Sequence, residues 1–275
     1  MTKKLWGLSL AALLLLSAAP SALAGEMGGA ASFVPKGMYR VSIQAGYVNE
    51  QKMKDIGGEA SSASFASPQQ DIKIKEDKHF GAVITYGLHE RINVFAELGL
   101  VSDGRLSGDR TVPGTSAKQN LEATLKDALA WAVGIKGQLW EHKKGFGVMA
   151  SARYFRYDDR KVDDWTGTGA GADIKGLGSD TSLDYWQFDL AVAAYWRFKR
   201  VTPYLGAKYS YAEGRLSGSW NLGSARGNID DKYEPESPLG LFAGVDLRLF
   251  KRFHLNLQAN FYDQTAFWVS GNYDF

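Results

Sequence analysis

The feature that most restricts this chain is an alternation of apolar with polar or small side chains, recurring in blocks of about ten residues. Successive side chains of a strand point to opposite faces, so a period of two gives each block one apolar and one polar face. About ten residues is also the length of a strand tilted through a bilayer. The final block shows the pattern most plainly. In Phe267-Trp268-Val269-Ser270-Gly271-Asn272-Tyr273-Asp274-Phe275, the residues Phe267, Val269, Tyr273 and Phe275 share one face, and Ser270, Asn272 and Asp274 share the other. Upstream, residues 39–47 form a single block, and four hairpins follow: 80–86 with 92–100, 129–139 with 146–154, 186–196 with 205–211, and 239–249 with 253–261. The sum is ten strands. Eight or twelve stay open, because Ile72 and Ile74 carry the alternation above the expected membrane surface within the ambiguous stretch 49–78.

The connections alternate in length. They are tight near residues 89, 143, 200 and 251, and long and polar around 49–70, 103–124, 158–182 and 212–236. Short turns at one end and long loops at the other suit an all-β, antiparallel transmembrane β-barrel, with short periplasmic turns, long extracellular loops and both chain ends on the turn side. A soluble sandwich also alternates, but it buries its apolar face. Here Tyr47, Phe80, Tyr154, Trp186, Tyr209, Tyr211, Phe261 and Phe267 all fall on the apolar face near the long-loop ends, which is the placement of an interfacial aromatic girdle.

The amino terminus has the layout of a secretory signal peptide: Lys3 and Lys4, an apolar run from Leu8 to Leu16, then Ala22-Leu23-Ala24 before Gly25. The expected organisation is a cleaved leader over 1–24, a flexible periplasmic lead-in over 25–37, with folding into the lumen as a plug as its alternative, and the barrel over 38–275. Losing Lys3 and Lys4 brings the 32 basic residues level with the 30 acidic ones, which argues against nucleic acid as a partner. There is no cysteine, and so no disulfide, thiolate nucleophile or lipoprotein acylation site. Nothing in the sequence calls for a cofactor.

The leader, the girdle, the short-turn and long-loop alternation and the Tyr273-Asp274-Phe275 ending together resemble Gram-negative outer-membrane β-barrel proteins of the small opacity-porin type, over residues 36–275. The resemblance implies residence in the outer membrane, with lipid and lipopolysaccharide around the barrel. It also implies periplasmic chaperones and the barrel-assembly machinery as partners in biogenesis, with Tyr273 and Phe275 as the assembly signal. It does not fix an activity.

Activity depends on the interior. Eight strands enclose a lumen just filled by side chains and sixteen leave a channel, so ten should leave a narrow one. Residues in the inward phase include Arg40, Glu97, Lys136, Arg153, Asp189, Lys208, Asp246 and Arg248, which form the expected constriction. Basic groups outnumber acidic ones on this face, so the leading expectation is a narrow porin-like channel for small polar solutes with weak anion preference. The alternative is a non-conducting adhesin, receptor or structural barrel acting through its loops, for which the acidic run Asp158–Trp165 is a candidate contact. A more remote alternative is hydrolysis at the rim. Barrels resembling the omptin proteases activate water there with acid pairs and an Asp-His couple, and Asp77 and His79 share a phase near a rim. No Asp-Asp pair can be assigned as their partner, because Asp158 and Asp159 are adjacent and point opposite ways, so the expectation is no enzyme.

Two further features stand out. Gly104-Arg105-Leu106-Ser107-Gly108 recurs as Gly214-Arg215-Leu216-Ser217-Gly218, read as a strand extension inherited by hairpin duplication in preference to a paired ligand loop. The tight turns carry Lys143-Lys144, Lys199-Arg200 and Lys251-Arg252, placed to meet inner-leaflet phosphates.

Overall fold

The structure is a computed structural model that describes residues 31–58, 70–111, 116–169, 174–175, 178–222 and 225–275. The leader and residues 25–30 of the lead-in lie outside the described residues. Fourteen strands and no helix occur among the described residues: β1 (Tyr39–Gly58), β2 (Gln70–His89), β3 (Ile92–Ser102), β4 (Arg105–Thr111), β5 (Lys118–Leu125), β6 (Ala128–Glu141), β7 (Phe146–Gly169), β8 (Ile174–Lys175), β9 (Gly178–Trp196), β10 (Val201–Leu222), β11 (Ala225–Pro235), β12 (Leu239–Arg248), β13 (Phe253–Phe261) and β14 (Gln264–Asp274). Every pairing is antiparallel, as the hairpin spacing requires.

Ten of these strands close a ring in the order β1, β2, β3, β6, β7, β9, β10, β12, β13, β14 and back to β1. The outside of this ring is the apolar face seen in the sequence: Ile43, Phe80, Leu98, Leu129, Leu205 and Leu239 are each more than half exposed. Exposed apolar side chains in a continuous belt are stable only against lipid. Aromatic rings mark its periplasmic edge, where Trp140 packs on Phe146, Phe146 on Trp196, and Trp196 stacks on Phe198.

The long polar stretches are not irregular loops. They continue as strands, and above the membrane they close a second ring: β1, β2, β4, β5, β7, β9, β10, β11 and back to β1. β4 prolongs β3, β5 leads into β6, and β11 leads into β12, whereas the β13–β14 hairpin has no counterpart in the upper ring. The barrel therefore narrows from ten strands to eight. β10 runs for 22 residues. At about 3.3 Å per residue and a tilt near 40°, such a strand rises roughly 55 Å along the axis, about twice the ~25 Å apolar band of such barrels.

At the junction of the two rings the apolar and polar faces change places, and three strands make the exchange with a bulge. In β2 the apolar side chains keep even numbers throughout, yet Ile72 and Ile74 point inward whereas Phe80 and Ile84 point outward. The break is at Glu76, a non-glycine residue at φ 57°. In β7 it is at Asp159, φ 52°, where the pairing with β9 skips from Tyr157 to Arg160. In β1 the register shifts between Val48 and Glu50. A one-residue bulge moves every later side chain to the other face. Ile72 and Ile74 thus do not extend the lipid-facing pattern; they belong to a new core.

That core fills the upper ring. Met53, Ile72, Ile74, Leu106, Leu121, Val162, Trp165, Leu183, Leu216, Ile229 and Tyr233 form one buried cluster. An eight-stranded cylinder has room inside only for side chains, and here they are mostly apolar, with Arg110, Gln119, Thr181 and Asp231 among the buried polar ones.

Candidate functional site: the barrel lumen

Beneath the apolar core the ten-stranded ring encloses polar side chains, whose contacts fall into levels. At the periplasmic mouth the chain itself enters the barrel. Of the stretch expected to be a flexible lead-in, residues 31–35 fold into the lumen, and Ala31 and Val34 are buried. Asn93 satisfies Val34 as a strand neighbour would: its Oδ1 accepts from Val34 N and its Nδ2 donates to Val34 O, both at 2.9 Å. Arg40 donates to Ser32 Oγ at 3.0 Å, Lys136 Nζ donates to Ser32 O at 3.3 Å, and Lys136 lies over the Phe33 ring. The path needs Gly87, where a Cβ would collide with the Pro35 carbonyl.

The charged groups are paired level by level. Arg40 grips the Asp274 carboxylate with two nitrogens, at 2.6 and 3.1 Å. His254 sits between Asp246 (3.6 Å) and Asp274 (3.4 Å). In the middle, Arg153 contacts Glu97 at 3.0 Å and Asp189 at 3.9 Å, while Gln187 and Ser210 both donate to Asp189 at 2.7 Å. Lys208 reaches Asp263 at 2.7 Å, with both side chains almost fully buried. Tyr204, Asn256, Gln258 and Asn260 form a hydrogen-bonded ladder along one wall.

Seven of the eight expected constriction residues do line the lumen interior, but not at a single level. Arg40, Lys136 and Asp246 are near the mouth, and Glu97, Arg153, Asp189 and Lys208 lie deeper. Arg248 is not in the packed lumen: at the end of β12 its side chain is exposed at the periplasmic mouth, beside Phe33 and Val34. The basic excess also vanishes, because Asp77, Asp263 and Asp274 turn inward as well. Asp263 and Arg160 could not be assigned an inward phase from the alternation, since one lies in the β13–β14 turn and the other just past the Asp159 bulge.

The lumen is packed. Asn256, Asn260 and Asn272 have no accessible surface, Lys136 and Ser270 have 1%, and Gln258 has 4%. A water-filled channel would expose its lining. An enclosed cavity of about 30 Å³ remains under the apolar roof, lined in part by Asp77, His79, Arg153, Gln187 and Trp268. That is room for a water or two, and the Trp268 indole N–H, buried there without a protein partner, faces the same region.

The Asp77-His79 couple is therefore not at a water-exposed rim. Asp77 is held by Arg160 at 2.7 Å, its other oxygen is 3.8 Å from His79 Nε2, and the His79 ring packs between Phe155 and Trp268. A general base needs a path to substrate, and the Leu106, Trp165 and Leu216 core lies above this one. The acidic run after Asp158 is also committed locally: Asp158 pairs with Arg156, Asp159 with Lys161 and Asp163 with Lys126, while Arg160, Val162 and Trp165 point inward. On the outer cylinder, burial, with Asp55 and Asp230 nearby, pushes the Asp231 carboxyl up to about 6. Its neighbour Asp230 is lowered by its hydrogen bond from Arg215.

The chain closes on itself at its carboxy terminus. β14 pairs with β1 from Arg40↔Asp274 to Gln51↔Gln264. Phe275 N donates to Tyr39 O at 2.9 Å, and the exposed Tyr273 and Phe275 rings meet edge to face at 4.9 Å on the lipid side.

No family model matches this chain, and no curated protein matches it either. Among solved structures it is similar to the outer membrane protease OmpT from Escherichia coli, with 12% identity and a TM-score of 0.52 over 90% of this chain and 97% of that one. It is also matched to the outer membrane protein OprG from Pseudomonas aeruginosa, with 12% identity and a TM-score of 0.40 over 91% of this chain and 99% of that one. The likeness to OmpT is one of fold. Together with the lipid-facing belt, it defines an integral outer-membrane β-barrel protein.

Proposed function

We propose that this is a non-conducting outer-membrane barrel that anchors a rigid, eight-stranded cylinder at the cell surface and acts through the outside of that cylinder, as a receptor, adhesin or structural element. The observation that carries this reading is the largely apolar core of the cylinder, stacked on a packed polar lumen most of whose charges are paired. Opening a path would require parting that core and exposing buried ion pairs, each costly. Lipid and lipopolysaccharide would contact the belt, and chaperones and the barrel-assembly machinery would act during biogenesis, with Tyr273 and Phe275 at the terminal strand as the recognised signal. A liposome-swelling assay with small polar solutes tests the reading: proteoliposomes should swell no faster than empty vesicles.

The hydrophilic lower lumen favours a second reading, a narrow channel for small polar solutes. Weak anion preference would then rest on Arg153 and Lys208, although Glu97 and Asp263 neutralise them here. Solute-dependent swelling would support this reading.

A further inference from the structure

The two ends of the barrel hold their cations differently. On the extracellular cylinder most cations are paired: Lys54, Lys78, Lys126 and Arg215 each meet a carboxylate at 2.6 to 2.9 Å, while Lys52, Lys75 and Lys118 have no salt bridge among the described residues. At the periplasmic end the three basic turn pairs, with Lys36, Arg91 and Arg248, are all exposed, and among the described residues none of them has a salt bridge. The acids there do not offset them. Glu141 is taken by Arg197 at 2.7 Å, Asp274 is turned into the lumen, and Glu90 stands alone.

The turn pairs have a simple role, since they lie where phosphates of the inner leaflet surround the wall. Lys36, Arg91 and Arg248 are set apart from that role by the concavities they border at the mouth. Lys36, Arg197 and Arg248 border a concavity of about 480 Å³ floored by Phe33, Val34 and Pro35. Arg91 and Arg197 border an adjoining groove of about 550 Å³ that runs out to Lys143 and Lys144. The two share Gln138 and Arg197, so they form one continuous trough in which Lys36, Arg91, Lys143, Lys144, Arg197 and Arg248 outnumber the two acids, Glu90 and Glu141. A lipid leaflet lies outside the barrel wall and meets only the outer end of this trough at Lys143 and Lys144, whereas an extended chain end can lie along all of it.

We propose that the periplasmic mouth docks an extended, carboxylate-rich peptide segment of a periplasmic partner. Guanidinium forks match carboxylates geometrically, the unpaired cations supply a steering field, and the Phe33–Pro35 floor gives the peptide backbone an apolar seat. The docking needs no passage through the lumen, so it stands whether or not the barrel conducts.

The test is fluorescence anisotropy of a labelled octaglutamate peptide on the barrel refolded in zwitterionic detergent, at low salt and again near 0.5 M, where screening is strong. The peptide should bind at low salt, whereas an alternating Glu-Lys peptide of equal length should not. The combined variant Lys36→Gln, Arg91→Gln, Arg248→Gln should weaken binding by about tenfold or more, while Lys199→Gln with Arg200→Gln should change it less than about threefold. All changed residues are exposed, and retained heat-modifiable mobility on gels confirms folding of each variant. Absence of binding, equal losses in the two variants, or displacement of the peptide by phosphatidylglycerol bicelles would each overturn the proposal, the last by making lipid the occupant.

Discussion

The repeated Gly-Arg-Leu-Ser-Gly segments allow a quantitative test of the outer cylinder. In both copies the leucine points into the core and the arginine points out. Leu106 is 1% exposed, between Ile74 of β2 and Ala123 of β5 in the register. Leu216 is 0% exposed, between Leu183 of β9 and Asp231 of β11. Truncating either to alanine removes three carbons, about 2.4 kcal/mol at ~0.8 kcal/mol per CH₂, and the residual cavity brings such costs to about 3–5 kcal/mol. Arg105 and Arg215 instead make surface pairs, with Glu76 at 3.1 Å and Asp230 at 2.7 Å. Such pairs contribute under about 1 kcal/mol. Urea unfolding of the refolded barrel can compare the four variants, followed by tryptophan emission, to which the fully buried Trp165 contributes from this same core. Leu106→Ala and Leu216→Ala should each lower stability several-fold more, in free energy, than Arg105→Gln or Arg215→Gln. Arginine variants as costly as the leucine ones would refute the structural reading of the repeat and favour a charged ligand loop.

Three further outcomes are expected. Asp263→Ala leaves Lys208 buried without its carboxylate and should cost about 3–5 kcal/mol, whereas the double change Lys208→Met, Asp263→Leu should recover most of the loss; a double variant no better than the single one would contradict this. Asp231 titrates higher in the folded cylinder than in the unfolded chain, so its stabilising contribution is present below pH ~4 and lost as pH rises through about 6. Asp231→Asn should therefore gain relative stability, on the order of 2 kcal/mol at pH 8, and lose that gain by pH 4; a pH-independent difference would count against it. Because the chain has no cysteine, Val34→Cys is a unique probe of the segment in the mouth. Maleimide labelling should be slow in that variant and faster by about tenfold or more when Gly87→Ala pushes Pro35 away; equal rates would mean the segment is not clamped there.

The membrane ring was legible in the sequence because lipid imposes a strict period of two. Its strands lie where the alternation from Tyr39 to Phe275 places them, to within a few residues at their ends, and their outward faces are the apolar ones. The upper ring was not legible. Its strands are shorter, their polar faces look like loop sequence, and bulges at Glu76 and Asp159 reverse which face a given parity occupies. Ile72 and Ile74 show the difficulty, since the pattern alone continues unbroken across Glu76 while the side chains change sides. The lumen was half legible. The inward phase located Arg153, Glu97 and Lys208, but pairing across the barrel cannot be read from one strand at a time. The partners that neutralise the cations, Asp263 and Asp274, lie at the end of the chain, far from Lys208 and Arg40 in sequence. The apparent basic excess came from counting without them.

The most direct test of a closed lumen is single-channel recording of the refolded barrel in a planar bilayer under a salt gradient. The structure predicts a protein that inserts, as shown by protease protection of its membrane strands, and adds no discrete current steps. Reproducible steps would contradict the account, most decisively if their reversal potential moved when Arg153→Glu and Lys208→Glu were introduced.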